Sequence, residues 1–253
     1  MQPTAPAPSA QSVALVTGAS RGIGAAIARR LAHDGHAIAV NCVHNQPQAQ
    51  AVVDDIVAAG GRAIVVQGDV SLPGTVAQLF DHIEAQLGAV TVLVNNAGLM
   101  PPALPRLADT DDATFERLFA VNVKGSFNTM REAARRMPQG GRIINFSSSV
   151  IGLGLPGYAV YAATKAAIES MTHILAKELR GRHITVNAVA PGPTATSLFL
   201  DGKTPEQIEQ LSRLAPLERL GRPEDIAALV AVLAGPDGGW VNGQTVRANG
   251  GVV

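Results

Sequence analysis

The sequence predicts an α/β fold: one doubly wound parallel sheet with helices on both faces. Three observations carry that expectation. Short runs of Val, Ile, Leu and Ala recur without the polar alternation of a half-exposed sheet, which marks strands buried on both faces. Most runs are followed by a stretch whose apolar residues step by three or four, the spacing of one helix face. Glycine or proline stands at most of the junctions between them.

Residues 13–17 form the first strand, ending at a glycine turn, and Ile23, Ile27 and Leu31 then mark a helix that stops at Gly35. The rhythm repeats. A strand at 37–41 leads to a helix carrying Val53, Ile56 and Val57 and closed by Gly60-Gly61. A strand at 63–67 leads to a helix carrying Val76, Leu79, Phe80 and Ile83 and closed by Gly88. The fourth strand, 91–95, precedes a long helix over 112–137 with Asp or Thr placed to cap it. The fifth, 142–146, opens into a Ser/Gly-rich loop before a helix over 158–180, and the sixth covers 184–189. A helix after Pro223, which suits a first helical turn, and a short strand at 245–247 finish the chain. No linker or repeat divides it, so 12–253 reads as a single domain behind a Pro/Ala-rich, uncharged lead-in, 1–11, expected to be disordered.

The chain has 253 residues, 47% of them hydrophobic, with 20 Lys and Arg against 20 Asp and Glu. A balanced, sparse charge offers no basic field for nucleic acid or a membrane surface, so neither is an expected partner. The lead-in lacks the basic and apolar regions of a signal peptide, and the longest apolar run is too short to cross a bilayer. A cytoplasmic location is the expectation. Cys42 has no second cysteine to pair with and reads as a small buried residue. The six histidines show no ligand grouping, so no metal is expected.

Open parallel sheets bind ligands beyond the carboxyl ends of their strands. The turn after the first strand, Gly18-Ala19-Ser20-Arg21-Gly22-Ile23-Gly24, admits three readings. As a dinucleotide site, Gly18 makes the turn, Gly22 admits the pyrophosphate and Gly24 lets helix and strand pack closely. As a hydrolase elbow, Ser20 would be a nucleophile; as a plain turn it binds nothing. The elbow lacks an upstream strand and loop for a second oxyanion donor, and no histidine follows His183. A Walker-type loop fails because no Lys-Ser or Lys-Thr pair follows the glycines.

Further residues narrow the choice. Thr17-Gly18 with Gly22 and Gly24, Asn95-Asn96-Ala97-Gly98, Asn122, Ser148, Tyr161 with Lys165, and Pro191-Gly192 follow one another in an order that resembles the short-chain dehydrogenase/reductase family. The resemblance covers the chain from about Ser12 onward and is nearest to NADPH-dependent aldehyde and ketone reductases. It implies a Rossmann-type fold, a nicotinamide cofactor, and Ser148, Tyr161, Lys165 and Asn122 as the catalytic set.

Tyr161 and Lys165, four apart on a helix, share a face. A free tyrosine, with a pKa of about 10, is only about 0.1% ionised at pH 7. A nearby ammonium and a bound nicotinamide cation are expected to bring that pKa down. Of three consecutive serines, alternation along the strand turns Ser148 away from Ser147 and Ser149, and the family spacing to Tyr161 also selects it, to hold the substrate oxygen. The resemblance implies that Asn122 holds a water between Lys165 and solvent. It assigns Asp69 to the adenine amino group, Asn95, Ala97 and Gly98 to the adenine ribose, and Thr196 to the nicotinamide amide or pyrophosphate. Ile23, Val70, Pro191, Gly192 and Thr194 complete its cofactor contacts.

An NAD-preferring site places a carboxylate about 20 residues beyond the glycine turn. Here residues 40–45 contain none, while Arg21 offers a cation and Ser20, Asn41 and His44 offer donors to a 2′-phosphate. NADP(H) is the expected cofactor. Segments 99–102, 150–157 and 194–214 are expected to line an apolar mouth as loops closing like a lid, fitting a small-molecule carbonyl substrate. Ala159, Ala162, Ala163, Ala166, Ala167 and Ser170 thin the helix for close packing, and the family suggests a homotetramer. Two alternatives stay open: a 3-oxoacyl-carrier-protein reductase, with Arg135, Arg136, Arg180 and Arg182 as an acidic-partner patch, and a non-catalytic NADP(H)-binding regulator.

Overall fold

The computed structural model describes residues 11–101 and 103–253. Residues 1–10 of the expected lead-in lie outside them. Gln11 is already fixed, donating to Gly35 O at 3.2 Å and accepting from Arg62 Nη1 at 3.1 Å. Seven strands, β1 (Val13–Val16), β2 (Ala37–Cys42), β3 (Ala63–Gln67), β4 (Val90–Asn95), β5 (Arg142–Phe146), β6 (Thr185–Pro191) and β7 (Thr245–Ala248), form one parallel sheet in the order β3-β2-β1-β4-β5-β6-β7. Chain order reverses between β1 and β4, so their carboxyl ends diverge and open a crevice.

Six helices cover the sheet. On one face lie α1 (Gly22–His33), α2 (Gln46–Ala58) and α10 (Pro223–Ala234); on the other lie α3 (Pro73–Gln86), α5 (Ser126–Arg136) and α7 (Ala159–Glu178). Alternation within a strand feeds both layers: Ala14 and Val16 pack with Ile27 and Ile226, whereas Val13 and Leu15 pack with Phe80 and Ile83. That two-sided burial is why the strands read as unbroken apolar runs. Cys42 is buried in the first layer.

Two expectations about helices need correction. The long helix over 112–137 divides into α4 (Asp112–Leu118), capped by Asp111 Oδ1 accepting from Thr114 N at 2.6 Å, a π-helical segment Phe119–Gly125, and α5. The widened turn carries Asn122, whose side chain is spent on another loop; such bulges gather at functional positions. The mouth segments are not all loop: α6 (Val150–Leu153), α8 (Ser197–Leu200) and α9 (Pro205–Arg213) form there. A reciprocal capping pair, Thr204 with Gln207, starts α9.

Candidate active site

The glycine turn is held open by its neighbours. Thr17 Oγ1 accepts from Asn96 N at 3.1 Å and Ala97 N at 3.0 Å, while Asn96 Nδ2 donates to Thr17 O and Gly18 O. Gly18 and Gly22 have φ of +61° and +57°, a region unfavourable to side chains. A Cβ on Gly24 would lie 2.5 Å from Asn96 Nδ2 and 2.6 Å from Gly18 O. A Cβ on Gly22 would come within 3.4 Å of Thr196 Cγ2, so the turn faces Thr196 across a narrow groove. The amino end of α1 has no side-chain cap and no acidic residue in its first turn. Its free N–H groups and helix dipole suit a phosphate.

Arg21 is exposed and makes no ion pair among the described residues. Ser20 is half-buried beside it, and His44 is exposed just beyond β2. Asn41 departs from the expected role. It is buried, its two N–H groups donate to Val66 O and Gly68 O at 3.0 Å each, and its Oδ1 accepts from Gly18 N at 3.3 Å. With both donors consumed it braces the turn and has nothing to offer a 2′-phosphate. Asp69 uses Oδ1 to accept from Ser71 N and leaves Oδ2 unbonded among the described residues. Val70 is buried beside it, its carbonyl accepting from Asn128 Nδ2.

Asn95 also departs from expectation, because β4 turns its side chain into the core. Its Oδ1 accepts from Thr129 Oγ1 at 2.6 Å and its Nδ2 donates to Asn145 Oδ1 at 2.8 Å. Asn145 passes the chain on to Thr172 Oγ1 at 2.9 Å. Asn96, which sequence reasoning did not select, is the asparagine beside the turn. The period of two along the strand could have separated these neighbours.

Across the crevice, β5 ends at the three serines. Ser147 and Ser149 are buried and bonded away from the opening, to Glu169 and to Ala190 O respectively. Ser148 is half-buried, and its hydroxyl stands near enough to Tyr161 to favour the ionised phenol. Lys165 is buried; its Nζ donates to Phe146 O at 2.9 Å and lies 5.6 Å from the Tyr161 ring centroid. Tyr158, also unselected, meets Tyr161 edge-on at 6.5 Å. It stands three residues earlier, at the N-cap of α7, a spacing the sequence carried.

Burial pushes Tyr161 up to about 12, against the downward pull of the Ser148 hydroxyl, and brings Lys165 down to about 8. Among the protein's own groups the expected drop in the tyrosine pKa is not found: loss of water around the hydroxyl outweighs the pull of Ser148. Asn122 lies close by. A Cβ on Gly98 would sit 3.4 Å from Asn122 Oδ1 and 3.5 Å from Lys165 Nζ. The Asn122 amide accepts from Leu99 N at 2.7 Å and donates to Leu99 O and Thr164 Oγ1. Its side chain thus ties the Leu99 loop to α7 and has no hydrogen left for a water.

The cleft between these walls is lined by Leu99, Met100, Leu153, Leu155, Phe199 and Leu211 among others, with Lys165 its single charged side chain among the described residues. Pro191, Gly192 and Thr194 form its back edge, and Ile23 reaches it from α1. Thr194 is buried and donates to Gly192 O. Three of the four arginines read as a partner patch are engaged elsewhere, and Arg180 is exposed. Arg136 pairs with Glu132 and Asp81, Arg135 with Glu132, and Arg182 donates to Ala134 O and Met137 O at the end of α5.

A glycine turn suited to a phosphate after β1, with a serine past β5 meeting a tyrosine and a lysine of α7, defines a dinucleotide-dependent oxidoreductase, and the residues fit NADP(H). A family model described as Enoyl-(Acyl carrier protein) reductase matches residues 18–253. A short-chain type dehydrogenase/reductase of Picea abies is 49% identical over 95% of this chain and 92% of its own length. An Arabidopsis thaliana protein named NADPH-dependent aldehyde reductase-like protein, chloroplastic, is 47% identical over 98% of this chain and 96% of its own. The crystal structure of a short chain dehydrogenase from Burkholderia cenocepacia in complex with NADP superposes with a TM-score of 0.89 at 38% identity, covering 96% of this chain and 98% of that one. The chain belongs to the short-chain dehydrogenase/reductase family. No helix among the described residues is long and apolar enough to cross a membrane.

Proposed function

We propose that this protein is an NADPH-dependent carbonyl reductase, converting a hydrophobic aldehyde or ketone to its alcohol and reversible as an alcohol dehydrogenase. The observation that carries the reading is the meeting of Ser148, Tyr161 and Lys165 in a cleft whose remaining side chains are uncharged. When bound, NADPH supplies the hydride taken up by the carbonyl carbon. Ser148 Oγ donates to the substrate oxygen, and Tyr161 gives that oxygen its proton as negative charge develops there. A tyrosine pushed up to about 12 holds its proton through the neutral range and stands loaded as the acid. Lys165, fixed to Phe146 O, keeps a positive charge beside the ring below about pH 8. Leu99, Leu153, Phe199 and Leu211 exclude water and pair with apolar substituents.

The 2′-phosphate of NADPH falls to Arg21, with Ser20 and His44 beside it and no carboxylate to repel it. The turn from Gly18 to Gly24 and Thr196 take the pyrophosphate. Asp69, Ala97 and Gly98 take the adenosine side, with Val70 backing it. The name of the Arabidopsis relative supports this choice. A cytoplasmic homotetramer belongs to the same reading: Ala163, Ala166 and Ser170 leave α7 bare on its exposed side. Sedimentation as a monomer at micromolar concentration would remove that part.

The test is NADPH oxidation across aldehydes, ketones, diketones and oxoacyl thioesters. Highest kcat/KM on neutral, apolar aldehydes or ketones is the expected result. A clear preference for acetoacetyl thioesters would move the assignment to 3-oxoacyl-carrier-protein reduction, and silence across the set would leave a cofactor-binding regulator.

A further inference from the structure

Ser148 is weakly held by its own contacts. Its Oγ accepts from Val150 N at 3.3 Å, so its aim depends on the residues on either side. Before it, Ser147 Oγ donates to Glu169 Oε1 at 2.6 Å. After it, Ser149 Oγ donates to Ala190 O at 3.0 Å and accepts from Asn249 Nδ2, also at 3.0 Å. That second clamp comes from the end of the chain, 100 residues away.

Asn249 is the knot of the C-terminal tail. Its Nδ2 also reaches Val253 O at 3.2 Å, and its Oδ1 accepts from Gly251 N at 2.9 Å. It lies hard against the back edge of the cleft, where a Cβ on Gly192 would sit 2.8 Å from Asn249 Cα. The tail it folds closes over α6. A Cβ on Gly152 would be 3.1 Å from Val253 Cβ, and α6 in turn presents Val150 and Leu153 to the cleft. A hydroxyl carries one hydrogen, so filling the Ser149 acceptor from Asn249 leaves that hydrogen committed to Ala190 O. The main chain on the far side of Ser148 is already tied to β6 by Ser149 N donating to Pro191 O at 3.0 Å, and the hydroxyl clamp adds a second tie that fixes the Ser149 side chain.

We propose that Asn249, with the tail it folds, is a positioning residue for carbonyl reduction: by fixing Ser149 it sets where the Ser148 hydroxyl stands relative to Tyr161. The inference rests on the carbonyl-reductase reading above. Asn249 touches neither substrate nor cofactor in this role; it acts through Ser148, and small misplacements of a reacting group carry large rate penalties.

The experiment measures Asn249→Ala alone and in a Ser148→Ala background. Expected is a fall in kcat of about tenfold in the otherwise native enzyme, with the NADPH dissociation constant unchanged, and no further fall once Ser148 is absent. The same factor in both backgrounds, or an unchanged kcat in the native background, overturns the proposal. A chain lacking Val252 and Val253 provides a second route should Asn249→Ala fail to fold. It removes the Val253 acceptor and the cover over Gly152 while leaving Asn249 in place. A several-fold loss of kcat supports the proposal, and full activity overturns it. Undiminished turnover in Ser148→Ala itself removes the carbonyl-reductase reading rather than this inference.

Discussion

On the β1 side of the cleft the groups offered are mostly backbone, with Arg21 the charged exception, and on the β5 side they are side chains. The cofactor flank consists of a glycine turn carrying Arg21, an uncapped helix end and asparagines that brace them, Asn41 from β2 and Asn96 just past β4. The reactive flank consists of three hydroxyl, phenol and ammonium groups, aimed by clamps from α7 and β6. Backbone recognition is indifferent to what is reduced, whereas side-chain placement decides it. Mutations on the two flanks should therefore fail differently, the first in cofactor affinity or folding and the second in turnover.

The largest break of that division is Tyr161→Phe. Removing the acid should cost on the order of 10³ in kcat, while fluorescence titration shows NADPH binding nearly intact. Ser148→Ala should cost about 10²-fold in kcat by the same pair of measurements, as loss of one donor to a developing oxyanion does. On the other flank, Arg21→Ala should leave kcat alone and lower the preference for NADPH over NADH tenfold or more, given about 1.5–3 kcal/mol for a hydrogen bond to a charged group. Gly24→Ala puts a methyl group into Asn96 and Gly18 O; a loss of about 1–3 kcal/mol in chemical denaturation is expected, with weaker NADPH binding.

The smallest effect is a slope. Lys165 ordinarily titrates at 10.5 and is held at about 8 by burial, so between those values the unfolded chain binds the extra proton. Stability should rise with pH across that window, by at most about 1.4 kcal/mol per pH unit from this group, and the slope should shrink in Lys165→Met.

The two flanks also differed in how legible they were. Every strand was legible in the sequence: the central ones because burial on both faces leaves unbroken apolar runs, and the half-buried edge strands β3 and β7 because β-branched residues stand there between turn signals. The glycine turn and the Tyr161–Lys165 spacing were readable too: each is local, fixed by a few neighbours in the chain. The helices α8 and α9 and the π-helical segment were not. Their form depends on what crosses them, as with Asn122 reaching to Leu99 and Thr164. Asn41 and Asn95 were misjudged because a polar residue at a strand end looks the same whether it faces a ligand or completes a buried network. Asn249 had no signal, since its partners Ser149 and Val253 are defined only by the fold.

The commitment of Asn41 limits how this enzyme could change cofactor. The usual way to favour NAD is a carboxylate at the end of the second strand, and position 41, the last but one of β2, is closed to it. There an aspartate would face the carbonyl oxygens of Val66 and Gly68 with no proton to give either. The turn and the third strand would loosen before any ribose was recognised. Position 41 thus belongs to the scaffold, and Arg21 and His44, both exposed, are where cofactor preference is open to change.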